Sequence, residues 1–311
     1  MAKKKKRKVR IGRLIFLIIL LFLILSGLIY ALYQIENRNE VFDKELTVNE
    51  IDYSGMKELD LDLYSKSYML VRLNDFKVLY GKNIFDKFYP ASLTKVVTLD
   101  TVVKNVDSLD DYSYISNGDY ARLIEANASL AGIKVNYDYT LKDLLYALVL
   151  PSGGDAGLAL ENYFSAQGKN IIDLMNANLS DLGINNSHFT NTTGLHDDDL
   201  YTTLDDYARV VIDTLNNNDA KEILKSYRYT LNDGITVRST LRSLENYFDD
   251  ITIYGGKTGF TGEAGENLMV LYSTGGRSYL LILASAPGNP YVPNENYHFI
   301  DAVSVLEYLY K

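Results

Sequence analysis

The chain has 311 residues, of which 47% are hydrophobic and only five are proline, a composition that suits one large globular domain or two subdomains with an ample core. It contains no cysteine, which excludes disulfides, thiolate-rich zinc sites and catalysis by a cysteine nucleophile. The net charge of −9 is uneven, because residues 1–13 carry eight Lys or Arg and no acidic residue. A basic tail therefore precedes an acidic body, and the acidic body predicts no nucleic-acid partner.

The first predicted element is a membrane-spanning helix. Leu14 to Tyr33 is a run of 20 residues without a charged side chain, long enough to cross a hydrocarbon core of about 30 Å as a helix. The basic tail before it predicts a cytoplasmic N-terminus, with the body outside the cytoplasm. We favour an uncleaved single-pass anchor, because the run exceeds the usual signal-peptide core of about 7–15 residues and no clear A-x-A site follows. A long signal peptide is the alternative.

Residues 34–64 are polar and acidic and predict a linker, so the body is expected to begin near Ser65. Two short apolar runs, 68–73 and 76–80, flank a polar pair and predict a hairpin. Residues 96–106 then carry apolar side chains almost all round, which is typical of a helix buried at the centre of a domain.

The middle of the body has helical periodicity and the end has that of strands. Thr202 or Thr203 is a suitable N-cap for the last of the middle helices. The predicted helices are 141–150, 155–164, 171–182, 204–216 and 297–310, and the predicted strands are 252–254, 267–273 and 278–286. Early and late strands can join into one antiparallel sheet, and the helical insertion then forms a subdomain with a cleft suited to a ligand.

A first motif, Ser92-Leu93-Thr94-Lys95, fits the pattern S-x-x-K. A serine and a lysine three residues apart at a helix start share one face and can hydrogen-bond. Lys95 can activate the serine only when neutral, and both burial and a second ammonium group, for which Lys257 is the candidate, lower a lysine pKa. The pattern is weak by itself, because Ser54-Gly55-Met56-Lys57 also matches it. Read alone, it equally describes a capped helix with a surface lysine.

A second motif, Ser152-Gly153-Gly154, lies at the junction of two predicted helices. The Ser152 hydroxyl can pass a proton between a lysine and a leaving nitrogen. Read alone, Ser152 is a loop serine that caps the next helix.

A third motif, Lys257-Thr258-Gly259, ends a predicted strand and follows Gly255-Gly256. Its Lys and Thr side chains can bind a substrate carboxylate, and its glycine lets the backbone approach a ligand closely. The N–H groups of Phe260 and Ser92 can together form an oxyanion hole. Read alone, the motif is a polar strand end with a glycine turn.

The ordered trio resembles the S-x-x-K, S-x-N and K-T-G motifs of penicillin-binding proteins and serine β-lactamases. Longer segments resemble low-molecular-mass D-alanyl-D-alanine carboxypeptidases, peptidase family S11. These segments are Tyr89–Lys95 (P-A-S-x-T-K), Leu144–Ala156 (LLxxLLxxSGNDA), His188–His196 (HFxNxxGLH) and Lys257–Leu268 (KTGxTxxAGxxL). The resemblance covers about residues 65–310 and implies a β-lactamase/transpeptidase-like fold of the α/β (α+β) class, an antiparallel sheet flanked by helices with a helical subdomain.

The resemblance implies an acyl-enzyme mechanism without cofactor or metal, on the outer face of a bacterial cell membrane. Ser92 attacks the carbonyl between the last two D-alanines of a peptidoglycan stem peptide, while Lys95 and Ser152 move protons. Terminal D-alanine leaves, and water hydrolyses the ester. β-Lactam antibiotics acylate the same serine. The implied substrate-binding residues are Gly154, Lys257, Thr258, Gly259 and Phe260.

Two departures from the family pattern concern the groups that bind the substrate. Gly154 stands where the family usually has Asn, so the side-chain amide that contacts the bound peptide is missing. Residues 278–310 contain no Arg or Lys, although many family members carry an arginine there that helps bind the carboxylate. Recognition of the carboxylate is therefore expected to depend on Lys257 and Thr258.

Four other functions remain as alternatives. A membrane-anchored peptidoglycan-binding protein with a decayed site is favoured only by Gly154. A class A-type β-lactamase needs an E-x-x-L-N glutamate, and neither Glu161 nor Glu222 has that context. A zinc D,D-peptidase needs clustered ligands, whereas the chain has three histidines. A Ser-His-Asp hydrolase lacks a G-x-S-x-G string.

Overall fold

The computed structural model describes residues 19–28, 51–288 and 296–310. Residues up to Lys44 and residues from Glu45 onward form two separate compact units. In the first unit, residues 19–28 form helix α1. The predicted span from Leu14 to Tyr33 and the basic tail lie partly or wholly outside the described residues. No helix within the described ranges is both long enough and apolar enough to cross a membrane.

The second unit, the body, contains both helices and strands. Its strands are β1 (Ser67–Arg72), β2 (Lys77–Lys82), β3 (Tyr112–Ser113), β4 (Tyr139–Thr140), β5 (Arg228–Thr230), β6 (Thr236–Arg238), β7 (Thr252–Thr261), β8 (Gly265–Thr274) and β9 (Arg277–Ala286). Its helices are α2 (Thr94–Asn105), α3 (Asn117–Glu125), α4 (Leu141–Val149), α5 (Gly154–Ala166), α6 (Ile171–Asp181), α7 (Leu204–Thr214), α8 (Asn218–Leu224) and α9 (Tyr297–Tyr310).

One antiparallel sheet of five strands forms the frame, in the order β2-β1-β9-β8-β7. The predicted hairpin β1–β2 joins the late strands because β1 pairs with β9, with Met69 opposite Ile282. Alternate side chains of the central strands, such as Leu268 and Val270, share a buried cluster with residues of α9, while α7 contacts β1 and β9. The predicted joining of early and late strands is thus confirmed.

Helix α2 occupies the centre of the helical region, as its all-round apolar pattern predicted. Its residues from Thr94 to Val102 are all buried, and it contacts α4, α6 and α7. Thr203 caps α7 by accepting the N–H of Asp206 at 3.1 Å, which settles the choice between the two predicted caps. The central position of α2 fixes its first turn, which carries Lys95, between the sheet and the other helices.

Two predicted boundaries differ from the structure. Residues 51–64, which the polarity of the segment placed in the linker, lie on the body: Leu59 is buried, and Asp52 and Lys57 form bridges with strand β2. Strand β7 runs through the third motif to Thr261, beyond the predicted bounds 252–254. Position 256 of this strand requires glycine, because a Cβ there would lie 2.0 Å from the Met269 carbonyl oxygen.

Candidate active site

The three sequence motifs meet at one cavity of about 990 Å³. The first motif opens α2, the second precedes α5, and the third lies on the edge strand β7. Motif residues that line the cavity are Ser92, Lys95, Ser152, Gly154, Thr258, Gly259 and Phe260. Lys257 is fully buried and does not line it. The structure therefore brings together all the predicted site residues, with the Lys257 side chain buried near Lys95 and outside the cavity lining.

Ser92 and Lys95 have the geometry of a nucleophile and its base. The Nζ of Lys95 lies 2.9 Å from the Oγ of Ser92 and also donates to the carbonyl of Thr193. Burial lowers the pKa of Lys95 to about 7, although the nearby carboxylate of Asp155 opposes this shift. A large fraction of Lys95 is therefore neutral near pH 7 and able to accept the serine proton.

Lys257 is buried close to Lys95, and its role in binding the substrate carboxylate stays a prediction. Its Nζ donates to the Thr258 carbonyl at 2.8 Å. Burial lowers the pKa of Lys257, and the charge of Lys95 lowers it further. The two lysines are therefore electrostatically coupled, as predicted, and burial is the main cause of the lowered pKa of Lys95.

Ser152 lines the cavity in a strained backbone conformation, with φ at +66°. A non-glycine residue in this region costs on the order of 1 kcal/mol or more. Its Oγ is buried and has no hydrogen-bond partner among the described residues, so the hydroxyl is available to a bound ligand. Its role as a proton relay stays a prediction, because no described hydrogen bond joins it to Ser92 or Lys95.

Gly154 lies directly against the loop that precedes β4. Its N–H donates to the carbonyl of Ser129 at 2.7 Å. A Cβ at this position would be 3.2 Å from the same oxygen and 3.4 Å from Leu123 Cδ2. The loop thus occupies space next to the position where the family's Asn side chain begins.

Gly259 of the third motif and Gly194 of the His188–His196 segment allow the backbone to approach Ser92 closely. A Cβ on Gly259 would lie 3.2 Å from the Ser92 nitrogen and 2.8 Å from the Pro90 carbonyl oxygen. The end of β7 therefore abuts the turn that carries the nucleophile, and Phe260 follows immediately. This contact is the one that the predicted oxyanion hole requires, although the pairing of the two N–H groups stays a prediction.

Three contributors to the site were not assigned from the sequence. The Thr193 carbonyl accepts from Lys95. Asp155, fully buried, accepts the N–H groups of Ala131 and Gly132, each at 2.8 Å, and so holds the loop beside the cavity. The Thr240 hydroxyl lies 2.8 Å from that of Thr258. The first two lie within the segments that carry the family resemblance, whereas nothing in the sequence marks Thr240.

The two glutamates considered for a class A-type β-lactamase, Glu161 and Glu222, lie outside the cavity lining. Glu161 accepts a hydrogen bond from Thr192 Oγ1 at 2.6 Å and has its pKa raised by burial. Glu222 accepts from Tyr146 Oη. In the described ranges, no group of three or more His, Cys, Asp or Glu side chains is placed to hold a metal ion.

The chain is similar to known proteins of one family. The family model for D-alanyl-D-alanine carboxypeptidase, peptidase family S11, matches residues 54–286. The chain is 28% identical over 217 residues to D-alanyl-D-alanine carboxypeptidase DacF of Bacillus subtilis, covering 68% of this chain and 54% of the relative. It is 27% identical over 230 residues to DacA of Escherichia coli K12, covering 71% and 55%. The chain thus spans about half the length of these relatives.

Solved structures share the fold. The DD-transpeptidase of Streptomyces K15 superposes with a TM-score of 0.71 at 24% identity, covering 80% of this chain and 98% of the other. Penicillin-binding protein D2 from Listeria monocytogenes, in its cefotaxime-bound form, gives a TM-score of 0.68 at 22% identity, covering 82% and 100%. The predicted α/β fold, with an antiparallel sheet and a helical region, is confirmed. The chain belongs to the D-alanyl-D-alanine carboxypeptidase family of serine peptidases, family S11.

Proposed function

We propose that the chain is a serine D-alanyl-D-alanine carboxypeptidase, which removes terminal D-alanine from peptidoglycan stem peptides and binds β-lactams. The observation that carries this proposal is the 2.9 Å contact between Ser92 Oγ and Lys95 Nζ inside a cavity that the other two motifs also line. The names of the family relatives support the substrate class, and the cefotaxime-bound fold neighbour supports the inhibitor class.

The reaction begins when neutral Lys95 takes the proton of Ser92. The serine oxygen forms a bond to the carbonyl carbon of the penultimate D-alanine, and the peptide C–N bond breaks. The leaving nitrogen receives a proton through the Ser152 hydroxyl, which faces no competing partner among the described residues. Water then attacks the ester, with Lys95 again accepting a proton, and Ser92 is regenerated. The N–H groups of Ser92 and Phe260 stabilise the oxyanion.

A test of this activity is release of D-alanine from a peptide ending in D-Ala-D-Ala by the full-length chain in detergent. The Ser92→Ala variant serves as the control. The proposal expects release from the natural chain and none above the uncatalysed rate from the variant. Release of equal size from both proteins would contradict Ser92 as the nucleophile.

The second candidate is a peptidoglycan-binding protein with a weak or inactive site. Gly154 favours it, because the family amide that contacts the peptide is missing. In this case the chain would bind a peptide ending in D-Ala-D-Ala with the same affinity in the natural and Ser92→Ala proteins, and neither would release D-alanine. Measured binding together with Ser92-dependent release would exclude this candidate.

We further propose that the N-terminal segment anchors the body to the outer face of a bacterial cell membrane. The uncharged run of 20 residues and the basic tail before it support this orientation. Because the chain has no cysteine, single cysteines report topology cleanly. A membrane-impermeant maleimide added to intact cells, stripped of any outer membrane, should label Lys66→Cys, at an exposed position of the body, and should label Lys5→Cys only after permeabilisation. The reverse pattern would overturn the orientation.

A further inference from the structure

The proposed substrate ends in a carboxylate, yet the cavity offers little fixed positive charge to bind it. Among the described residues, Lys95 is the sole Lys or Arg in the cavity lining, and it already contacts the nucleophile. Lys257 is fully buried and donates to the Thr258 carbonyl. Hydroxyl groups in the lining are therefore candidates to bind the carboxylate beside these lysines.

Thr240 supplies such a donor at the required place. It lies between β6 and β7, outside all three motifs, and lines the cavity together with Thr258. The two Oγ1 atoms are 2.8 Å apart. Each hydroxyl carries one hydrogen, so in the free protein one hydroxyl donates to the other and the second hydrogen remains available. Two adjacent hydroxyls of this kind can turn both hydrogens toward an incoming anion.

The backbone around Thr240 is held rigidly, as a binding residue requires. Its N–H donates to the Leu150 carbonyl at 3.1 Å, which ties it to the segment leading into Ser152. The next residue, Leu241, is fully buried, and its Cδ1 would lie 2.9 Å from a Cβ on Gly256 in strand β7. Thr240 is thus fixed to both the second and the third motif.

We propose that the paired hydroxyls of Thr240 and Thr258 form the subsite for the terminal carboxylate of the substrate, and that Thr240 is a specificity-determining residue. This inference rests on the proposed function and extends it, because it adds Thr240, a residue outside the three motifs, to the carboxylate site expected at Lys257 and Thr258, where each hydroxyl can make a charge-assisted hydrogen bond. The subsite would prefer peptides with a free carboxylate over those whose terminus is amidated.

The experiment measures equilibrium binding to the full-length Ser92→Ala protein in detergent, so that turnover plays no part. Two probes are used, a peptide ending in D-Ala-D-Ala and the same peptide with a C-terminal carboxamide, and the dissociation constants are obtained by NMR titration. Thr240→Val removes the hydroxyl at nearly constant volume, and Thr240→Ser restores it. Thr261→Val is the matched control, because Thr261 also lines the cavity but its Oγ1 accepts the N–H of Ala264.

Loss of a hydrogen bond to a charged group weakens binding on the order of 10- to 100-fold. We expect Thr240→Val to weaken carboxylate binding by this factor and to change carboxamide binding by less than about threefold. Thr240→Ser should retain the natural affinity, and Thr261→Val should leave the ratio of the two affinities unchanged.

Equal losses for both probes in Thr240→Val would show a structural role and overturn the inference, as would an unchanged carboxylate affinity. A carboxylate-selective loss in Arg242→Ala, an exposed residue nearby, with none in Thr240→Val, would assign recognition to the guanidinium instead. Absence of any preference for the carboxylate would also overturn it. Because binding is measured without the nucleophile, these outcomes are independent of whether Ser92 reacts.

Discussion

Gly194 lies so close to Ala91 that a Cβ on Gly194 would stand 1.9 Å from the Ala91 carbonyl oxygen and 2.9 Å from the Ser92 nitrogen. Gly194 also has φ at +77°, a region that suits glycine. The residue before it, Thr193, accepts from Lys95. The His188–His196 segment therefore contacts both the turn that carries the nucleophile and the side chain of its base, and it helps to fix their positions.

Replacing Gly194 by alanine should displace the turn that carries Ser92. We expect Gly194→Ala to reduce acylation by a penicillin at least about 100-fold and to destabilise the fold by about 2 kcal/mol or more, because backbone atoms cannot move aside cheaply. Gly168→Ala is the control, because Gly168 has φ at +70° but nothing within 4 Å of its Cβ position. It should cost about 1 kcal/mol of backbone strain and leave acylation intact. Equal acylation rates in both variants would contradict this role of Gly194.

The rate of acylation should depend on pH through Lys95. Burial lowers the pKa of Lys95 to about 7, and only the neutral amine accepts the serine proton. As the pH falls below 7, Lys95 becomes protonated and the rate should drop about tenfold per pH unit. Above pH 7 the rate should level off. The measurement is the second-order rate constant for acylation by a penicillin between pH 5 and 9.

Lys95→Ala is the companion variant for the pH profile. It should abolish acylation, because the base is lost. It should remain folded, because the substitution also removes the cost of burying an amine. A flat pH profile in the natural chain, or a normal acylation rate in Lys95→Ala, would remove Lys95 as the base.

Ser152 combines a cavity position with a backbone conformation that suits glycine. Ser152→Ala keeps the strain and loses the hydroxyl, whereas Ser152→Gly loses both. If the hydroxyl relays protons, both variants should lose about 100-fold in D-alanine release, and Ser152→Gly should be about 1 kcal/mol more stable than Ser152→Ala. The readouts are D-alanine release and thermal unfolding. Normal turnover in either variant would contradict the relay role.

Gly154 differs from the family Asn, and the structure indicates that the site has adapted to glycine. The Ser129 carbonyl lies 3.2 Å from the Cβ position and accepts the Gly154 N–H. We therefore expect Gly154→Asn to push the loop away and to lower acylation about threefold to tenfold, a loss of about 1 kcal/mol. Gly118→Asn, whose Cβ position is 3.8 Å from the nearest atom, should leave acylation unchanged. A gain in turnover for Gly154→Asn would show instead that the missing amide limits the enzyme.

Local patterns predicted most of the fold and the reacting centre. The hairpin β1–β2, the buried helix α2 and the closing helix α9 follow from apolar periodicity, which is a local property. Ser92 and Lys95 are three residues apart, so one helical turn already brings them together. Helix capping is also a local property, so the sequence narrows the N-cap of α7 to Thr202 or Thr203, and the structure shows that it is Thr203.

Features that depend on long-range packing could not be predicted. Thr240 hydrogen-bonds to Thr258 across 18 positions of the chain, a contact that no periodicity in the sequence reveals. The Lys257 side chain is fully buried, and tertiary packing rather than a local pattern buries a charged residue at the end of a strand. Residues 51–64 are polar enough to predict a linker, but Leu59 anchors them in the core.

Ser92 is identified as the nucleophile of a penicillin-sensitive serine peptidase by incubating the full-length chain in detergent with a penicillin, recording the intact mass and mapping the modified peptide. We expect one added penicilloyl group on Ser92, absent from Ser92→Ala and reduced to background in Lys95→Ala. An adduct on another residue, an adduct that persists in Ser92→Ala, or an unmodified natural chain would contradict this assignment.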